Sequence, residues 1–251
     1  MADCKRPSDR ELSGQFLSTH WTTVFTAGQE DRDAAWDALE KLCGIYWDPL
    51  YAYVRRQGHS AADAQDLTQD FFARFVERKY VQLADPARGR FRTFLLTSLK
   101  HFLVNEWNKA NTLKRGGGQK VLSLDEERAE KRFAAEPVVD QAPDATFDQR
   151  WATTLLNRAL ANLRDEFAAD GKVAAFEQLK GYVWGAGESA GYADTAGKLG
   201  MSEGALKVAV HRLRQRFGEE LRAEVARTVA TPADIDEELR YLITVVQTGA
   251  S

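Results

Sequence analysis

The side chains best equipped for chemistry in this chain are cations gathered in two stretches, preceded by a short run of carboxylates. From Arg90 to Lys120, seven bases (Arg90, Arg92, Lys100, Lys109, Lys114, Arg115 and Lys120) face one acid, Glu106, for a local charge of +6. From Glu203 to Phe217, Lys207, Arg212, Arg214 and Arg216 face Glu203 alone, for +3. The chain as a whole carries −3, so these are patches and not a general basic character. Cations at this density bind phosphates, and arginines among them can also read base edges. Asp63, Asp66 and Asp70 stand at i, i+3 and i+7, which on a helix makes one acidic stripe. Residues 121–150 and 218–240 each sum to −4, which isolates the two basic stretches as separate anion-facing surfaces.

Catalytic and metal chemistry find little support. The four histidines, His20, His59, His101 and His211, are scattered, and Cys4 and Cys43 form no CxxC pair, so no metal, cofactor or disulfide framework is expected. Asp66 and Asp70 could pair as carboxylates on a bundle, but no E-x-x-H completes a di-metal site. Walker loop, nucleophile elbow and Rossmann glycine patterns are all missing, so the chain reads as a non-enzyme. The start MADCKRPSDR has no apolar signal core, and no run reaches the ~18–20 apolar residues of a membrane span. The expectation is a cytoplasmic protein with no membrane contact.

The elements that must position these groups read as helices throughout. At 251 residues, 44% hydrophobic and 28% charged, the chain has room for one large or two small globular domains. A helix over 33–46 gathers Ala34, Ala35, Leu39, Leu42 and Cys43, and a second over 47–57 gathers Leu50, Tyr51 and Val54. Ser60 is an N-cap, with Asp63 as its partner, for a helix carrying Ala64, Leu67, Phe71, Phe75 and Val76. A loop over 83–89 precedes the strongest helix, 91–109. There Phe94 and Trp107 read as core before they read as base-stacking groups. Gly116, Gly117 and Gly118 end that helix, and a charged segment with Pro137 and Pro143 follows as a linker, with a short helix around 126–133. Helical periodicity resumes at Trp151, Leu155, Leu156, Ala159, Leu160 and Leu163, and again over 172–184.

The basic stretch after Glu203 belongs to a helix-turn-helix. Residues 192–199 form a short helix that Gly200 closes in a left-handed conformation. Met201 fills the turn and Ser202 caps the second helix. That helix places Ala205, Val208, Ala209, Leu213 and Phe217 inward and leaves Glu203, Lys207, His211, Arg212, Arg214 and Arg216 outward. Ala196 and Gly197 allow the two helices to approach closely. A helix of this kind fits the major groove.

Two strings carry a resemblance to a known family. Ser202 to Arg214, SEGALKVAVHRLR, resembles region 4 of extracytoplasmic-function sigma factors, where S-E-G-x-V-K-x-x-x-H-R-A-R is typical. Asp63 to Phe72, DAQDLTQDFF, resembles the D-A-E-D-L-x-Q-E-x-F motif of their region 2, and Gly89 to Leu95 resembles the opening of the promoter-melting helix. The order of a four-helix module, a linker and a helix-turn-helix is also the family's.

The resemblance implies an all-α chain of two small helical domains joined by an acidic linker. Residues 1–29 would be an extension, 30–115 region 2, 116–148 the linker, 149–228 region 4, and 229–251 a helical tail. It implies a sigma factor that binds core RNA polymerase, through the clamp helices of its largest subunit and the flap of the second largest, and directs initiation at promoter DNA. Asp63, Gln65, Asp66, Gln69 and Asp70 would dock on polymerase, with Gln65 standing where the family has Glu. Phosphorylation at Ser60 or Thr68 by a Ser/Thr kinase could supply that charge, and an anti-sigma factor is a further candidate regulator. Arg90, Arg92, Lys100, Asn105, Asn108, Lys109, Lys114 and Arg115 would take the single-stranded −10 element, with the 83–89 loop holding a flipped base. Ser202, Glu203, Lys207, His211, Arg212 and Arg214 would read the −35 element. The linker would thread through polymerase or serve as a solvated tether. The tail helix, 234–246, places Leu239, Leu242, Ile243 and Val246 on one face and could pack on the helix-turn-helix, cover a polymerase-binding surface or bind a regulator. The competing reading is a helix-turn-helix regulator acting without polymerase.

Overall fold

The structure, a computed structural model, describes residues 32–76, 90–112, 142–185 and 191–249. Every element among them is helical, as expected. The N-terminal extension, the 83–89 loop, the 126–133 helix, Lys114 and Arg115 lie outside the described residues. The chain divides into two compact units, one of residues 1–153 with 226–251, the other of 154–225.

The first unit is built on α1 (Arg32–Arg56), α2 (Ala61–Val76) and α3 (Phe91–Thr112). Two helices were expected across residues 33–57, but α1 is continuous through Pro49. A proline inside a helix forfeits one backbone hydrogen bond, and the deep burial of Tyr46, Leu50, Tyr51 and Val54 on either side offsets that loss. Ser60 caps α2 as expected: the Asp63 amide donates to its hydroxyl at 3.1 Å, and that hydroxyl donates to the Asp63 carboxylate at 2.6 Å. Rings bind the three helices together. Phe71 meets Phe75 and Phe102 at 5.4 and 5.7 Å, Phe75 meets Phe94 at 5.9 Å, and Tyr46 meets Phe91 at 5.4 Å.

Helix α4 (Pro143–Ala169) begins inside the segment read as linker. Pro143 starts it where a missing amide costs nothing, and Phe147, Trp151 and Ala152 of its first turns are fully buried. The C-terminal helix α8 (Ile235–Gly249) also belongs to the first unit. It follows a 3₁₀ turn (Pro232–Asp234) that opens on a capping box in which Thr231 and Asp234 bond reciprocally. Its buried face is Ile235, Glu238, Leu242 and Val245, while Ile243 and Val246 are exposed. This is a rotation from the expected face, because the Glu238 carboxylate is turned inward to two arginines and takes the helix with it.

The second unit holds the rest of α4, α5 (Val173–Leu179), a 3₁₀ turn (Lys180–Trp184), α6 (Tyr192–Leu199) and α7 (Glu203–Ala226). Gly200 closes α6 at φ 65°, with the Met201 amide reaching back to the Ala196 carbonyl at 3.0 Å. The Ser202 hydroxyl accepts from the Ala205 amide at 3.2 Å, capping α7. The buried stripe of α7 is Leu206, Val210, Leu213 and Phe217. Ala205 and Val208, expected inside, are exposed. Leu206 and Val210 extend the stripe of Leu213 and Phe217 at spacings of four and three, and Leu206 buries more apolar surface than Ala205, so this face sets the rotation. Ala196 is buried in the same core, whereas a Cβ on Gly197 would meet nothing within 4 Å, so close approach does not require that glycine.

Candidate nucleic-acid and polymerase interfaces

The acidic stripe forms at the start of α2. Asp63, Asp66, Gln69 and Asp70 are exposed on it, and Asp70 lies 3.7 Å from Arg74. Gln65 does not join them. It is 8% exposed, turned toward the core beside the buried Ala64, about 100° around α2 from Asp66. The charge that seemed to be missing from the stripe therefore falls at an inward position, where an ionised carboxylate would need a partner. Thr68 is also buried, its hydroxyl donating to the Ala64 carbonyl at 2.7 Å, which removes it as an accessible modification site. Ser60 is exposed.

The basic residues of α3 separate into two groups. At the helix start, Arg92 is 6% exposed, far from the strand-facing role expected of it. Its Nε donates to Glu238 Oε1 at 2.7 Å and its Nη1 to Asp148 Oδ1 at 2.9 Å. The guanidinium lies 4.0 Å from the Tyr241 ring centroid and 5.0 Å from that of Trp151. The Tyr241 hydroxyl donates to the other Asp148 oxygen at 2.6 Å. Burial opposes the charge on Arg92, but the hydrogen bond and charge of Glu238, with Asp148, outweigh it and raise its pKa. Burial and the Asp148 hydrogen bond push the Tyr241 phenol up. Arg90 Nε stands 2.7 Å from Glu238 Oε2, an ion pair without hydrogen-bond alignment, and its Nη2 is 2.6 Å from Glu237. Lys100 pairs with Asp144 at 2.7 Å. Farther along α3, Asn105, Asn108 and Lys109 are exposed, Lys109 pairing with Glu106 at 2.9 Å.

Trp107 is 67% exposed and Val104 58%, on the same stretch of α3 as the two asparagines. Spacing alone had put Trp107 in the core. Phe94 does pack, within the ring cluster of Phe75 and Phe91. A signal for Trp107 was present in the polar residues adjacent to it in sequence, Asn105, Glu106, Asn108 and Lys109.

The outer face of α7 presents Ser202, Glu203, Lys207, His211, Arg212 and Arg214 to solvent. Glu203 and Lys207 pair at 2.9 Å, and that hydrogen bond raises the Lys207 pKa. Arg214 Nε donates to the Tyr182 carbonyl at 2.9 Å, which restricts its reach. Arg216 is held by both oxygens of Glu166, at 2.7 and 2.8 Å. Val208, 50% exposed, stands among the polar groups of this face and was missed by the periodicity.

Residues 46–112 match the family model for sigma-70 region 2. The match supports the sigma-70 family of RNA polymerase sigma factors and a sigma-factor role in promoter recognition. No curated protein and no solved structure matches the chain. The matched residues comprise the end of α1, the whole acidic stripe of α2 and all of α3. No helix among the described residues is long and apolar enough to cross a membrane, and no described cluster of His, Cys, Asp or Glu is arranged to hold a metal.

Proposed function

We propose that this protein is a sigma factor of the extracytoplasmic-function type, which binds core RNA polymerase and directs initiation through two DNA contacts. The observation that carries this reading is the region 2 match over 46–112, with an exposed acidic stripe on one of its helices and exposed polar and aromatic groups on another. Asp63, Asp66, Gln69 and Asp70 dock on the basic clamp helices of the largest subunit. Asn105, Asn108 and Lys109 hold the single-stranded −10 element, and Trp107 offers a ring on which a base can stack. The helix-turn-helix acts as region 4 and lays α7 in the major groove of the −35 element. Lys207, His211 and Arg212 present donors to base edges and phosphates, and Val208 presents methyls to a thymine methyl group.

Run-off transcription with core polymerase, with start sites mapped, tests the reading. Specific starts that depend on the protein and vanish in Asp66→Asn with Asp70→Asn are expected. Transcripts that ignore the protein, together with operator binding that needs no polymerase, would return the chain to the class of helix-turn-helix regulators.

A further inference from the structure

The arginines at the start of α3 already have an anionic partner. Arg90 and Arg92 meet Glu237 and Glu238 of α8 and Asp148 of α4, and Lys100 meets Asp144. Three bases against four carboxylates leave this surface at −1, so the electrostatic attraction its arginines would give a phosphate backbone is cancelled by the chain itself. The arrangement also imitates what it displaces. A guanidinium fork takes carboxylate and phosphate oxygens with the same geometry, and Arg92 spends two of its nitrogens on carboxylates from segments 56 and 146 residues away.

Two further observations suggest that α8 is a docked part with its own means of folding. The 3₁₀ turn that leads into it has a local capping box, and Asp236, Glu237 and Glu238 occupy the first turn of α8, where negative charge favours the helix wherever it stands. Its apolar anchor is modest, with Ile235, Leu242 and Val245 buried while Ile243 and Val246 remain exposed. Removing α8 with nothing in exchange would strand a nearly buried Arg92, which is costly, but exchange for another anion would not.

We propose that α8 is a built-in competitor of nucleic acid on region 2, whose Glu237 and Glu238 hold Arg90 and Arg92 until a phosphate backbone replaces them. The proposal rests on the sigma-factor reading for its DNA partner, but not for the exchange of anions. In the full-length protein, Glu237→Gln with Glu238→Gln removes the competing charge and keeps the side-chain shape. A second chain ends at Ala230 and lacks α8 altogether. The measurement is fluorescence anisotropy with a labelled mixed-sequence DNA single strand across a salt series. Both variants are expected to bind about tenfold more tightly than the natural chain, with a salt slope steeper by about 1.4 for two added phosphate contacts. Arg90→Gln with Arg92→Gln in the same background should return both quantities to the starting values. Unchanged affinity and slope would overturn the proposal. So would loss of the cooperative thermal transition in both variants, since α8 would then be a fixed strut of the module. If the strand affinity rises but no variant supports run-off transcription, the exchange stands and the sigma-factor reading fails.

Discussion

The two basic surfaces of this protein have opposite fates. At the start of α3 the bases are absorbed: Arg92 is nearly buried between Glu238 and Asp148, and Arg90 and Lys100 each have a carboxylate within 2.7 Å. On α7 they stay outward, with Lys207, His211 and Arg212 all exposed. In the sequence the stretch that contains the first surface sums to +6 over residues 90–120, against +3 over residues 203–217. Such sums do not reveal that Arg90, Arg92 and Lys100 are already paired. What decides is whether remote carboxylates fold back onto the stretch, and those at 144, 148, 237 and 238 lie in the segments that summed to −4.

The contrast is broken most forcefully by removing one arginine from each surface. Arg92→Ala leaves Glu238 and Asp148 facing each other with their shared cation gone, and is expected to cost about 3–5 kcal/mol of stability. Arg212→Ala removes an exposed cation, so its cost in stability should stay within about 0.5 kcal/mol. Its effect belongs instead to duplex binding, about 1–3 kcal/mol for a base contact, or a salt slope lower by about 0.9 for a phosphate contact. Urea unfolding and promoter-duplex titration on both variants separate the two outcomes. Equal stability losses would mean that the two surfaces do not differ as described.

The outward face of α7 can be sharpened further at Val208. If its methyls meet a thymine methyl, replacing that thymine by deoxyuridine should weaken binding by about 0.8 kcal/mol in the natural protein. In Val208→Ala the same replacement should do less, because the contact is already lost. A deoxyuridine scan of the −35 duplex against both proteins reads this directly. A scan with identical profiles would remove Val208 from the reading surface.

Much of this architecture was legible because the deciding interactions are local. The cap at Ser60, the left-handed Gly200 and the Ser202 cap are each set by residues within a few positions, and each forms. The ring cluster of α2 and α3 follows from plain helical spacing. The misreadings share one cause, competition between faces of a helix. Ala205 and Val208 were placed inward because apolar residues stand on both sides of this helix, and the rotation is settled by the stripe of Leu206, Val210, Leu213 and Phe217 at spacings of four, three and four. Gln65 looked like a missing surface charge because one residue along a helix changes the face by about a third of a turn. Glu238 could not be read as buried at all, since its partners lie 146 residues away in the chain.

The smallest test concerns an ion-pair group on α3 that, unlike the Arg92 cluster, stays close to solvent. Glu106 accepts from Arg74 of α2 and from Lys109 one turn along its own helix. Partial burial works against its charge, but the hydrogen bonds from Lys109 and Arg74, with their positive charges, prevail and hold the carboxyl below the ordinary carboxylate value. A carboxyl lowered on folding stabilises the protein at pH values above its unfolded pKa. That contribution disappears as the pH falls through the folded pKa and the group protonates in both states. Glu106→Gln should therefore lower stability by a few tenths of a kcal/mol near neutral pH, since such half-exposed pairs are weak. In urea unfolding at acid pH the two proteins should converge. A difference that persists there would show that Glu106 acts through packing, not through charge, and that the solvent-near cluster resembles the buried one more than its geometry suggests.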